Sequence, residues 1–201
     1  MLAKSLLIAC AALAPVLSAG AAQADARTFA VQAGESRIQF VSDAPLERFT
    51  GTSDQVSGFI KTDPEKAGKV TKAEIKVEVA SIKTGLKLRD EHLRGDDWLD
   101  AKRHPAAKFV LKRVEGVTQL KPNQSVEATV HGKFTIHGVT RDIKAPMKVR
   151  LIQKEGKPDS LRVVGSFTIN LEAHKVSVPS IVALKVAPDI EVNIDISAVA
   201  K

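Results

Sequence analysis

Between Val126 and Leu151 the chain alternates apolar and polar residues almost without a break. Val126, Ala128, Val130, Gly132, Phe134 and Ile136 fall on one face, and Glu127, Thr129, His131, Lys133, Thr135 and His137 on the other. After Gly138 the pattern resumes: Ile143, Ala145, Met147, Val149 and Leu151 oppose Asp142, Lys144, Lys148 and Arg150. Strict alternation over such lengths marks strands with one buried and one wet face.

The same period recurs along the chain. Ile75, Val77 and Val79 alternate with Glu74, Lys76 and Glu78; Leu161, Val163, Gly165, Phe167, Ile169 and Leu171 make another stripe; Ile190, Val192, Ile194 and Ile196 make a last one. Shorter strands are predicted at 28–32, 37–42, 55–62 and 108–117. Turn signals separate these runs at Ala33–Gly34, Asp63–Pro64, Lys121–Asn123, His137–Gly138 and Glu155–Pro158. Eight or nine strands joined by tight turns predict an all-β, mainly antiparallel fold, a barrel or a sandwich, in one domain. Gly58, Ala128, Gly132, Ala145 and Gly165 sit within the apolar stripes. Small inner residues favour a strongly coiled barrel with unfilled space inside.

The N-terminus reads differently. Met1–Lys4 is a short basic stretch, Ser5–Ser18 is apolar, and Ala22–Ala24 ends in a small-x-small cleavage pattern. This predicts a signal peptide over 1–24 and a periplasmic or secreted domain over 25–201. Reading Leu7–Cys10 as a lipoprotein box would leave an apolar core of about five residues, short of the usual 7–15. Cleavage after Ala24 removes the one cysteine, so stability must come from the core rather than a disulfide. The net charge of +7 becomes +6 when Lys4 is lost, which suits an anionic partner such as a membrane surface. No arginine cluster or aromatic array favours nucleic acid. The oligomeric state is not readable.

One stretch breaks the strand pattern: ASIKTGLKLRDEHLRGDDWLDAKRHPAAKF, residues 80–109. Helix formers over 86–93, a stop at Gly95 and a second turn carrying Trp98 and Leu99 predict a helical crossover packed by Leu86, Leu93, Trp98 and Leu99. Its charges invite a catalytic reading, as a hydrolase or isomerase using Arg89, Asp90 and His92. Yet Asp90 and His92, two apart on a helix, point to different faces. No Gly-x-Ser-x-Gly elbow or thiol is present outside the leader. Arg89–Asp90 is therefore expected to tie the crossover to the barrel. The five histidines show no metal-ligand spacing, so neither a metal nor a catalytic residue is assigned, and no cofactor is expected.

VEVASIKTGLKLRDEHLRGDDWLDAKRHPAAKF, followed by VHGKFTIHGVTRDIKAPMKV, resembles the YceI-like family of secreted bacterial proteins. The shared pieces are Ser81–Gly85, Arg89–Leu93, Asp97–Trp98, Pro105, Phe109 and Gly132–Thr140. The resemblance implies a lipocalin-like eight-stranded β-barrel with a short helical crossover around residues 86–100. It also implies an apolar tunnel holding an isoprenoid chain, of polyprenyl or quinone type, for transport or storage, and no enzymatic activity. Leu86, Leu93 and Trp98 would face the barrel. The chain departs from the family pattern at FVSDAPLERFTGT and INLEAHKVSVPS, so the tunnel mouth is expected to differ.

Strand parity assigns Phe40, Val77, Val79, Phe109, Phe134, Ile136, Val149, Phe167 and Ile169 to the lining. One residue of slip would turn any such strand inside out. The alternative function is a stress-response or surface-interaction barrel without a cargo lipid. The segment 42–52 has no assigned role.

Overall fold

The strand stripes fold into one ten-stranded antiparallel sheet that closes on itself. The computed structural model describes residues 26–69 and 71–201. The expected signal peptide, with Cys10, lies outside the described residues. The strands are β1 (Arg27–Val31), β2 (Arg37–Asp43), β3 (Arg48–Ser53), β4 (Val56–Thr62), β5 (Thr71–Glu78), β6 (Ala106–Glu115), β7 (Ser125–Ile136), β8 (Val139–Ile152), β9 (Ser160–Asn170) and β10 (Asp189–Ala200). One helix, α1 (Lys87–Arg94), lies in the β5–β6 crossover.

Ten strands make eight staves because two staves are broken. β10 pairs along the same edge with β2 through Ile190–Asp195 and with β1 through Ala198–Ala200. The excursion between β1 and β2 is pinned to β10: Gln32 N–H donates to the Ser197 carbonyl at 2.9 Å, and Ser197 N–H donates to Ser36 Oγ at 3.1 Å. β3 and β4 form the next broken stave, pairing with β2 and β1 respectively. The ring then runs β4-β5-β6-β7-β8-β9-β10 and back to β1. Closure leaves no open edge around that half of the wall.

The long alternating run is the β7–β8 hairpin, in register from Ser125↔Arg150 to Ile136↔Val139. Its turn is His137–Gly138 with φ of 50° and 71°, the pair of positive values that matches the strand twist in a two-residue hairpin. In β6 the alternation is interrupted at Lys112–Arg113. A register shift between Leu111 and Arg113 absorbs the extra residue, so both Leu111 and Val114 reach the interior.

Two of the small inner residues, Gly132 and Gly165, do not leave space; they receive large neighbours. A Cβ on Gly132 would fall 2.4 Å from the Phe109 ring, and one on Gly165 2.5 Å from the Met147 sulfur. Gly51 is covered by the Phe40 ring in the same way. Phe109, Met147 and Phe40 thus fold over glycines on adjacent strands. The interior void lies elsewhere.

Two apolar clusters fill the barrel ends. The lower one centres on Phe29, Val56, Leu151, Leu161 and Ala198, with Ala67 and Leu120 from the loops. The upper one, at the crossover end, joins Leu99, Phe134, Ile169, Val176, Ile190 and Val192. Phe109, Ile38 and Ile194 touch both.

Candidate functional site

Two apolar chambers lie inside the barrel and meet at a waist. The lower, of about 140 Å³, is ringed by side chains from all eight staves. The upper, of about 120 Å³, is closed by Leu93, Trp98 and Leu99 of the crossover and by Val176 and Val186 of the β9–β10 loop. Ile38, Val77, Ala107, Phe134 and Val192 line both and form the waist. Phe134 is its largest member. It is wedged edge-on between Phe167, at 5.3 Å between ring centres, and His174, at 5.8 Å.

The chemistry of this lining is narrow. Its side-chain oxygens belong to Thr62 and Thr71 below and to Thr52 and Ser53 above. Thr62 and Thr71 share a hydrogen bond of 2.9 Å, and Ser53 Oγ sits 2.6 Å from Ser81 Oγ. Among the described residues no charged side chain or imidazole lines either chamber. A general acid or base needs a titratable group within hydrogen-bond reach of the reacting centre. The described lining residues offer apolar surface. Among the described residues no three His, Cys, Asp or Glu side chains gather as metal ligands would.

The wall of the upper chamber has one irregular place. β3 meets the crossover through a single bridge, Thr52 with Lys83, whose two backbone hydrogen bonds are each 2.9 Å. Side chains close the rest. Arg89 of α1 donates to Glu47 at 2.8 Å, and its guanidinium lies 4.1 Å above the Phe49 ring. Arg89 Nη1 is buried without a hydrogen-bond partner. Asp90 is buried and accepts from the Thr84 N–H at 2.7 Å and the Thr84 hydroxyl at 2.6 Å. Burial pushes the Asp90 carboxyl up, but the two Thr84 hydrogen bonds and the charges of Arg94 and Arg89 together outweigh it and hold the pKa below the ordinary value. Arg89 and Asp90 thus fasten α1 to β3 and to the loop before the helix. His92, the third residue of the catalytic reading, is exposed.

Phe40, Val77, Leu93, Trp98, Phe109, Phe134, Ile136, Val149, Phe167 and Ile169 all line the chambers. Two expected residues do not. β5 ends at Glu78, and Val79 begins a 3-10 turn, where its N–H bonds Pro105 O at 2.9 Å. Val79 is buried in the upper cluster behind the lining. Leu86 precedes α1 in extended backbone and is 51% exposed, so it faces solvent rather than the barrel.

The parity reading also missed part of the wall. Ile38 and Met147 share the faces of residues it chose, and Val192, Ile194 and Ile196 of β10, a strand from which it chose none, also line the lower chamber. β3 was missed outright, although it contributes Phe49, Gly51, Thr52 and Ser53. Its alternation of Phe49, Gly51 and Ser53 is a strand signal, blurred because a glycine and a serine occupy inner positions.

The YceI-like domain family matches residues 29–198, nearly all of the barrel. The chain belongs to that family. A UPF0312 protein of Pseudomonas savastanoi pv. phaseolicola is 33% identical over 147 residues, 71% of each chain. One of Pseudomonas fluorescens is 31% identical over 141 residues, 70% of each. Among solved structures, BcnA of Burkholderia cenocepacia superposes with a TM-score of 0.69 at 25% identity, covering 84% of this chain and 99% of BcnA. A polyisoprenoid-binding domain of Saccharophagus degradans, implicated in plant cell wall breakdown, has a TM-score of 0.68 at 17% identity over 86% and 98% of the two chains. The barrel fold is thus shared with both solved structures.

Proposed function

We propose that this protein is a non-enzymatic carrier or storage protein of the periplasm that holds an isoprenoid amphiphile, of polyprenyl or quinone type, in its two-chamber tunnel. The observation that carries this reading is the lining: apolar from end to end, broken only by threonine and serine hydroxyls. Burying hydrocarbon there is worth about 0.8 kcal/mol per methylene, and a polar ligand would lose its water without finding partners. The ligand class of the S. degradans domain supports the choice of an isoprenoid, and the secretory character of residues 1–24 supports the location.

Size narrows the ligand. An apolar cavity of roughly 150 Å³ stays dry and takes up one benzene ring. Two chambers of about 140 and 120 Å³ then accept on the order of a dozen carbons in this conformation. A longer chain requires the Phe134 waist or the β3 seam to open.

Trp98 gives a direct test. It is the sole tryptophan, the chain has no tyrosine, and it lines the upper chamber. Titrating delipidated protein with a short-tailed benzoquinone should quench its emission saturably at one ligand per chain, and Ala107→Phe, which fills the waist without adding a second tryptophan, should weaken binding at least tenfold. Linear, unsaturable quenching, unchanged in the variant, would remove the tunnel from consideration as a binding site.

A further inference from the structure

The apolar side chains left on the outside are not scattered. On the barrel wall Phe59, Val110 and Val164 are at most 40% exposed. At the crossover end Leu46, Leu86, Leu88, Leu184 and Ile181 run from 51% to 90%. Single exposed aliphatics are ordinary, but a contiguous group is not. These five come from three separate segments that the fold draws together. Leu46 N–H bonds the Leu184 carbonyl at 2.9 Å, Arg89, beside Leu88, bonds Glu47, beside Leu46, at 2.8 Å, and Ile181 lies one turn before Leu184. The patch therefore straddles the β3–crossover seam, where the upper chamber's wall is held by side chains instead of a ladder.

The charges around it have a sign. Lys83, Lys87 and Lys185 flank the leucines, are exposed, and make no ion pair with any described residue. The acid inside the patch, Glu47, is taken by Arg89. Of the exposed acids of the crossover, Glu91 lies one turn after Lys87 on the same helix face, and Asp96 and Asp97 lie beyond the helix.

We propose that this face docks on an anionic lipid bilayer, with the five aliphatic side chains entering the headgroup region and the three lysines meeting lipid phosphates. Aliphatics ringed by unpaired lysines are the composition of an interfacial membrane anchor. A protein partner with an apolar face would be matched by the leucines but gives no reason for the lysines. The proposal deepens the carrier reading, since docking there sets the seam against the medium that holds an isoprenoid.

The test is flotation of the purified protein with vesicles of phosphatidylglycerol and phosphatidylethanolamine, against vesicles of phosphatidylcholine. We expect binding to the anionic vesicles only, falling steeply between 50 and about 500 mM salt as the Debye length shrinks. Leu46→Asp with Leu184→Asp should lower it at least tenfold, and Lys87→Glu with Lys185→Glu at least fivefold. Val110→Asp on the wall should leave it intact. All these positions are exposed, so folding is not at stake, and circular dichroism checks it. Trp98 titration with the benzoquinone, run on the same variants in solution, should be unchanged. A wild type that ignores anionic vesicles, or leucine variants that bind them as well as wild type, would overturn the docking face while leaving the tunnel reading untouched. A dimer in sedimentation velocity that the leucine variants abolish, without vesicle binding, would overturn it in favour of a second copy of this chain. Failure of the benzoquinone titration alone would sink the tunnel reading and not the docking face.

Discussion

The two ends of the barrel are built to different standards. Around the lower chamber every stave is hydrogen-bonded to both neighbours, and the core holds Phe29, Leu151 and Leu161 at 1% exposure or less. Around the upper chamber one stave, β3, is laddered only to β2, and its other edge is fastened by Arg89, the Ser53–Ser81 hydroxyl pair and the Lys83 bridge, with Asp90 holding the adjoining Thr84. A closed ladder distributes load over many backbone bonds. A seam of a few side-chain contacts opens at lower free energy than the global unfolding. The fold thus separates two regions: the lower half keeps the barrel shut by its ladder, and the upper half holds the weaker seam.

The largest expected effect is on the laddered half. Phe29, fully buried in β1 between β4 and β10, should cost about 3–5 kcal/mol when changed to Ala, read as a lowered urea midpoint with unchanged slope. A cost below about 1 kcal/mol would mean that this end is loosely packed and the contrast with the seam is unfounded.

The seam comes next. Asp90→Asn weakens the anchor of the Thr84 N–H and hydroxyl and should cost about 1–3 kcal/mol. The sharper readout is amide exchange. Lys83 and Thr52 should exchange many-fold faster in the variant while Val149 and Val163, in the β8–β9 ladder, keep the wild-type rate. Uniform acceleration would show one cooperative unit rather than two regions. The sign with pH follows from the depressed carboxyl. Its contribution is complete above about 3.8 and fades as pH falls through the lower folded value, so the seam is fully anchored at neutral pH.

The smallest effect is a slope. His174 is buried beside Phe134 at the top of the waist, with its Nδ1 3.1 Å from the Val139 carbonyl. Burial, with a smaller push from the Arg141 charge, lowers its pKa from the ordinary 6.5 despite that carbonyl. The unfolded chain then binds the proton more readily than the folded one. Stability should be complete above pH 6.5 and decline as pH falls from there toward the folded value. His174→Asn should flatten that part of the profile in urea titrations at stepped pH, and an undiminished slope would assign it to another group.

The same contrast explains what could be read from the sequence. The laddered half announces itself, because β7, β8, β9 and β10 each alternate over ten or more residues and each inner stripe follows from parity. Burial on one face forces that pattern. The seam half does not alternate. β3 hides behind an inner Gly51 that only makes sense once Phe40 lies across it. Val79 continues the period of β5 in sequence, yet the backbone has already turned for the crossover. Leu86 has the right spacing from Leu93 for a buried helical face but falls just before the helix begins. The Arg89 and Asp90 ties were legible as structural from their positions, whereas their partners, Glu47, Phe49 and Thr84, required the fold.

Whether the tunnel carries an isoprenoid chain can be read by native mass spectrometry of the protein purified from bacteria that express the full chain. We expect a stoichiometric adduct that organic extraction releases as an isoprenoid lipid, with the masses of protein and lipid adding to the complex. A clean mass of the bare chain, with no uptake of added polyprenyl lipids or quinones, would contradict it.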